Sequence, residues 1–470
     1  MRGVGQRSLR HSSHHTPCDE SEKYEASNSV EELTRSALPS PPTHHTECDD
    51  YNGKPSSDDI RHRAKRLIHA VLMPLVRLAV RCIPAARRNQ SVVKSLWTGT
   101  PIITLGVKAK AERLLGVDAM SLVYQTYHVT DRFDVDMSRW VRGPMKWFAP
   151  YVLLAWACVR FQRFHFFYDR GLLPQLQPGQ FNPDELALLK SLGKQTFFYA
   201  YGADVRTERR TRSLGPLQLC ASCPVPGKYC VCDDQRGQDN YQRIRDHATE
   251  CFSQGDMIEY TPGSRNDLFY WPLDLQADEG RRYAPSYPPE KSDRPVRIVH
   301  APNHRHFKGT QHLLDAVERL KQSGMAIELV LVEKLPNDLA LEVYRSADLV
   351  FDQCVAGYHG YFALEAMAMG KPVLAFIRRP DDYLLAADEC PLVNTSPQTL
   401  FDDLQRLADD RAELASIGRQ GREYIECYFS LEAFSRRLKG VYLDLEGQHE
   451  TTARPQAHLH RNVRAARLEA

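Results

Sequence analysis

Net charge is nearly absent from this 470-residue chain: 61 basic against 59 acidic side chains leave +2. That balance removes any global attraction for nucleic acid and confines a charged interaction surface to a local patch. Long apolar runs are also lacking. Tyr151 to Val159 is closed by Arg160, well short of the roughly 20 residues a spanning helix needs. The first residues are polar and rich in His and Ser, without the apolar stretch of a secretory leader. A reducing, cytoplasmic setting is therefore expected, and with it no disulfides among the twelve cysteines. Residues 1–58 and 447–470 have few large apolar side chains and are expected to be disordered tails.

What remains is enough for two or three domains with a sizeable core. Residues 59–90 stand apart. Positions 60–90 hold eight Arg and Lys and no acid. Arg66, Arg77, Arg81 and Arg88 fall on one helical face, with Ile68, Val71, Leu75 and Ala79 roughly opposite. Pro74 is expected to kink or break this helix. Two readings stand: a basic amphipathic helix lying on an anionic membrane, on its cytoplasmic face, or a helix docking its apolar side on the next domain.

From residue 91 the chain alternates short apolar strands with helices, which implies a parallel sheet. Strands are expected at Val92–Trp97, Ala119–Tyr127, Phe164–Tyr168 and Gln195–Tyr201. Helices are expected at Ile102–Leu115, Lys146–Arg160 and Asp184–Leu192. A helix near Tyr241–Phe252 and short strands at Asp256–Tyr260 and Leu268–Trp271 close this half, residues 91–275. The Pro-rich stretch 276–294 reads as a linker. The alternation restarts over 295–446, with strands at Val296–His300, Ile327–Val332, Leu349–Asp352 and near Val373. The expected fold class is α/β, with two Rossmann-like doubly wound domains facing a cleft. Ligands bind at the carboxyl ends of such strands.

Cys220, Cys223, Cys230 and Cys232 form a C-x2-C-x6-C-x-C cluster within an insertion at 215–235. Short thiolate pairs separated by turns suit a structural, tetrahedral zinc with no open position, and so no catalytic role. The other reading is four free thiols on a loop.

The stretch from Gly357 to Pro372 reads as a glycine loop, a short helix, a Gly stop and a buried strand. A glycine loop feeding a helix N-terminus is suited to phosphate, and Glu365 one turn inside can hold a sugar hydroxyl. His359, Gly360 and Phe362 belong to the same segment. Ala363-Leu-Glu-Ala-Met-Ala-Met-Gly-Lys-Pro-Val, with the strand–loop–Lys308-Gly309–helix unit upstream, resembles the retaining group 1 glycosyltransferases of GT-B fold. The resemblance covers roughly 293–445 and extends to the first half only as a generic Rossmann-like unit. It implies a nucleotide-sugar donor, a hydroxyl acceptor such as a glycan or lipid-linked saccharide, and no metal for catalysis. It also implies that Glu365 holds the nucleotide ribose and that Lys308 and Arg305 face the diphosphate. The family's first glutamate, eight positions earlier, matches Gly357 here. This departure leaves open another donor sugar, a substitute such as His359, or lost chemistry. In the last case the chain is a non-catalytic scaffold.

In the first half, Asp204 follows a strand and is a candidate to orient or deprotonate an acceptor hydroxyl; the alternative is a loop-capping residue paired with Arg206. Asp169-Arg170-Gly171 ends the preceding strand. Gly99 and Thr100 form the loop after the first strand, which in the family reaches toward the donor. His165 reads as a core residue.

Overall fold

The computed structural model describes residues 57–83, 92–126 and 130–450. Helix α1 (Ser57–Cys82) comes first. The first half then runs β1 (Lys94–Thr98), α2 (Thr104–Arg113), β2 (Asp118–Val123), β3 (Val135–Asp136), α3 (Met145–Arg160), β4 (Arg163–Phe167), α4 (Pro183–Ser191), β5 (Gln195–Tyr199), α5 (Glu208–Arg212), α6 (Asp234–Arg245) and β6 (Glu250–Phe252). Its six strands lie in the order β3-β2-β1-β4-β5-β6, every pairing parallel.

The second half runs β7 (Val296–His300), α7 (Arg305–Lys308), α8 (Thr310–Gln322), β8 (Ile327–Leu331), α9 (Asn337–Arg345), β9 (Leu349–Gln353), α10 (Tyr361–Ala368), β10 (Val373–Ala375), α11 (Pro380–Tyr383), β11 (Val393–Asn394), α12 (Leu400–Asp409), α13 (Arg411–Tyr428) and α14 (Leu431–Glu450). Five parallel strands form the order β11-β10-β9-β7-β8. The two doubly wound α/β halves expected from sequence are present, in the two-Rossmann arrangement of a GT-B fold. Strands such as β4 and β9 are buried along their whole length, as helices on both faces of a parallel sheet require.

Several local expectations are corrected. Helix α1 runs through Pro74 as one element. Pro74 is exposed, so the hydrogen bond it cannot donate is missing on the solvent side, where water substitutes. The docked face of α1 is His69, Met73, Val76 and Val80, whereas Val71 and Leu75 stay in solvent. Arg88 lies outside the described residues. The helix expected at Tyr241–Phe252 begins at Asp234, because Asp233 caps it by accepting the Arg236 N–H at 2.9 Å. It is over by Arg245, and Glu250–Phe252 is strand β6. Asp256–Tyr260, read as a strand, is a 3-10 turn at Gly255–Glu259, opened by Gly255 at φ +58°. Leu268–Trp271 pairs into neither sheet.

Helix α14 follows the second half in sequence but packs on the first. Leu431, Phe434, Leu438, Val441 and Leu445 recur at helical spacing and share a buried cluster with Trp97, Tyr199 and Phe252. Tyr442 donates its hydroxyl to Glu112 at 2.7 Å, and Glu112 also accepts from Ser95 and the Trp97 indole. His165 stacks on Trp97 at 3.7 Å and is fully buried. It is a core histidine, and burial holds its pKa well below the usual value.

Candidate functional site

In the second half, the turn between β7 and α8 carries two cations. Lys308 ends the one-turn helix α7, and Gly309 at φ +71° lets the chain reverse into α8. A Cβ at Gly309 would come within 2.5 Å of the Cys354 sulfur. Lys308 Nζ bonds Asp352 Oδ1 at 2.6 Å, and Asp352 Oδ2 accepts the Gly360 N–H at 2.5 Å. Asp352, at the carboxyl end of β9, thus ties the Lys308 turn to the N-cap of α10. Any side chain at Gly360 would press on Lys308 Nζ, 2.9 Å from the added Cβ. His359 is buried beside this group, and burial lowers its pKa to about 4. Arg305 turns elsewhere: its guanidinium grips Glu333 at 2.8 and 2.6 Å. The two cations therefore face different carboxylates.

Glu365 is 3% exposed. Its Oε1 accepts from Asn337 Nδ2 at 3.1 Å and from the Tyr283 hydroxyl at 3.3 Å. Burial pushes its pKa up to about 7, with the Asn337 hydrogen bond opposing. Phe362 is half-buried, its ring 4.5 Å from that of Tyr344. Gly357 sits at φ +87°, and a Cβ there would lie 2.4 Å from Arg378 Nη1. That nitrogen is buried and finds no hydrogen-bond partner, while Nη2 donates to the Leu217 carbonyl at 2.9 Å.

In the first half the strand ends converge. Thr100 donates to Asp169 at 2.9 Å, and the Tyr201 hydroxyl reaches the same carboxylate at 3.2 Å. Gly99, at φ +121°, shapes this loop; a Cβ would meet the Arg170 carbonyl at 2.7 Å. Asp204 lies deeper. Its oxygens accept the backbone N–H groups of Tyr201 and Gly202 at 2.9 Å and of Tyr168 at 3.2 Å. Arg206 pairs with Asp256 rather than Asp204. Burial, and then the charge of Asp169, raise the pKa of Asp204. Below it, Lys108 Nζ is buried without a hydrogen-bond acceptor, 4.7 Å from the Phe167 ring and 5.0 Å from that of Tyr199. Burial lowers its pKa to about 7, against the attraction of Asp204.

The segment Tyr270-Trp271-Pro272 touches both halves. Tyr270 packs beside Tyr199, Trp271 lies against Tyr358, His359 and Tyr361, and the Pro272 carbonyl accepts the Tyr361 hydroxyl at 2.9 Å. Sequence reasoning missed Asp352, Lys108, Asn337, Tyr283 and Arg378. Only Asp352 carried a usable signal, its place at a strand's carboxyl end.

The four cysteines line one cavity of about 20 Å³, together with Arg206, Tyr229 and Phe307 of α7. Among the described residues, no three or more His, Cys, Asp or Glu side chains are arranged to hold a metal ion. Tyr229 packs its ring against His304 at 4.3 Å and Phe307 at 5.8 Å, so the cysteine module rests on the turn that carries Lys308.

No family description and no curated protein matches this chain. Among solved structures, it is similar to the sucrose-phosphate synthase of Thermosynechococcus elongatus (14% identity, 76% of this chain and 100% of that one, TM-score 0.48). It is also similar to HepE from Anabaena in complex with UDP and glucose (12%, 75% and 99%, TM-score 0.45). A third is WaaG, a glycosyltransferase involved in lipopolysaccharide biosynthesis (13%, 75% and 99%, TM-score 0.44).

Proposed function

We propose that this chain is a glycosyltransferase that moves a sugar, with retention, from a nucleotide-diphosphate donor to a hydroxyl of a glycan or lipid-linked saccharide, in the cytoplasm. The observation that carries this reading is that each half holds a polar cluster at the carboxyl ends of its parallel strands. One is Lys308, Asp352, Gly360 and His359 at the N-terminus of α10. The other is Thr100, Asp169 and Tyr201 at the strand ends of the first half.

Breaking a glycosyl–phosphate bond builds charge on the departing diphosphate. Lys308 and the N-terminal end of α10 supply cationic and dipolar stabilisation there. Asp352 holds Lys308 in place beforehand. Glu365 accepts a ribose hydroxyl, exchanging its Tyr283 or Asn337 donor for the ligand's. Arg305 reaches the diphosphate only after leaving Glu333. Asp204 organises the acceptor loop through three backbone N–H groups, which leaves Asp169 as the carboxylate nearer the acceptor. In this reading no metal enters the transfer step. Were zinc bound, Cys220, Cys223, Cys230 and Cys232 would hold it as thiolates, in a structural role with no open position.

A second reading is favoured by Gly357: with Arg378 filling the place of the family's first glutamate, the chain is a scaffold that binds a nucleotide sugar or a glycan without turnover.

A thermal-shift panel of UDP, GDP, ADP and dTDP on the wild type and Glu365→Ala tests the donor site. Ligand at about 100 times its Kd adds roughly 2.7 kcal/mol. One diphosphate raising the wild-type midpoint but not that of the variant is the expected result; no response to any of them overturns the donor assignment. Turnover of the matching nucleotide sugar separates enzyme from scaffold, and the anomeric configuration of the product by NMR decides retention.

A further inference from the structure

No helix among the described residues is long and apolar enough to cross a membrane. Yet the exposed apolar side chains are not scattered. Of sixteen large ones among the described residues, ten lie on α1, on α3 or beside them: Leu67, Val71, Leu75, Leu78, Ile83, Trp140, Met145, Phe148, Val152 and Trp156.

On α1 they form a stripe directly opposite the docked one. Met73, Val76 and Val80 are buried with Tyr151, Leu154 and Ala157 of α3. Leu67, Val71, Leu75 and Leu78, at helical spacing on the far side, are 57–70% exposed. On α3, Met145, Phe148, Val152 and Trp156 recur at spacings of three and four, with Val152 65% exposed. Two packed helices therefore each leave an apolar stripe uncovered, more than single exposed residues explain.

From residue 60 onward, the charges that α1 and α3 themselves carry are of one sign. Residues 60–90 and 137–160 contain no Asp or Glu. Arg63, Arg66 and Arg81 are exposed along one edge of the α1 stripe. Among the described residues they, Arg139 and Lys146 pair with no carboxylate. Arg77, on the same edge, is held with His69 by Asp184, which fixes α1 against α4.

We infer that this face seats the protein on an anionic lipid bilayer, with the two apolar stripes in the acyl boundary and the arginines among the headgroups. Trp140 and Trp156 suit that depth. The other occupants fit the face less well. A second copy would set two predominantly basic faces against each other. The first 56 residues carry acids but few large apolar side chains, so they match the arginines and not the stripes.

The test uses the full chain with vesicles of phosphatidylcholine, alone or with about 30% phosphatidylglycerol. The expected result is co-sedimentation with the anionic vesicles, weakened by salt, with a blue shift in tryptophan emission. The pairs Val71→Glu with Leu75→Glu, and Phe148→Glu with Val152→Glu, are each expected to weaken binding at least about tenfold. These positions are exposed, so the unfolding midpoint stays put and the diphosphate response is retained; this separates the surface from the donor site. No binding by the wild type, or equal binding by both paired variants, overturns the proposal. So does a wild-type dimer that the α1 pair dissociates without any vesicle binding.

Discussion

Glu365 combines full burial with two neutral hydrogen-bond donors, Asn337 and Tyr283, and its pKa rises from the ordinary 4.5 to about 7. The folded state therefore holds this proton more tightly than the unfolded chain. The stabilisation is fully present below pH 4.5 and is lost as the pH climbs through 7. Glu365→Gln keeps the shape without the charge. Wild-type stability is expected to fall between about pH 5 and pH 8 by up to roughly 3 kcal/mol relative to Glu365→Gln, read from urea midpoints. Parallel curves for the two proteins would show that Glu365 does not titrate in this range. Gly357 makes a second prediction at the same scale. Restoring the family's glutamate there does not restore a donor contact, because φ of +87° and the Arg378 guanidinium both oppose a side chain. Gly357→Glu is expected to cost at least about 2 kcal/mol and to raise no activity. Gly357→Ala with Arg378→Ala relieves the contact but not the backbone strain, so calorimetry of the two variants apportions the cost.

The cysteine module acts through an element. Its Tyr229 and its cavity both contact α7, and α7 ends in Lys308. If the thiols bind zinc, removing it loosens that turn. Purified protein is expected to carry about one zinc per chain. Cys223→Ser, remote from the donor in sequence, is expected to lower both zinc content and diphosphate affinity. Zinc-free protein of unchanged affinity would leave four free thiols. This coupling was invisible in the sequence, where residues 215–235 read as an isolated insertion. What was legible were elements whose pattern is local. Fully buried strands such as Phe164–Phe167 and Leu349–Phe351 announce themselves as apolar runs, and the Gly-Tyr-His-Gly loop before α10 marks a helix start. Asp-Met-Ile-Glu-Tyr at 256–260 reads as a short strand, yet Gly255 turns it into a 3-10 segment. Glu365, His359 and Lys308 stand out as candidates in the sequence, but their partners do not. Tyr283 is 82 residues from Glu365 and Asp352 is 44 from Lys308, and only the fold brings them together.

At the scale of the molecule, the two halves are joined by more than the linker. Glu259 of the first half accepts from Tyr383 at 2.8 Å and pairs with Arg379, both of the second half. The ring of Tyr358 occupies the space where Gly255 would carry a side chain. The strongest tie is α14, which leaves the second half and buries Leu431, Phe434, Leu438, Val441 and Leu445 in the first. Phe434 and Leu438 are fully buried, so Phe434→Ala and Leu438→Ala are each expected to cost about 2–5 kcal/mol. A helix encoded at the end of one half that completes the core of the other makes their unfolding a single event. Calorimetry of the wild type is therefore expected to show one transition. A chain ending at Ser430 exposes the β1–β5 side of the first sheet and strips Glu112 of its Tyr442 donor. In that truncation the first half should melt earlier and separately, while the second half, whose own core clusters exclude α14, keeps its transition. A single unshifted transition in the truncated chain would mean that the linker and the Glu259 contacts suffice and that α14 is only an appendage.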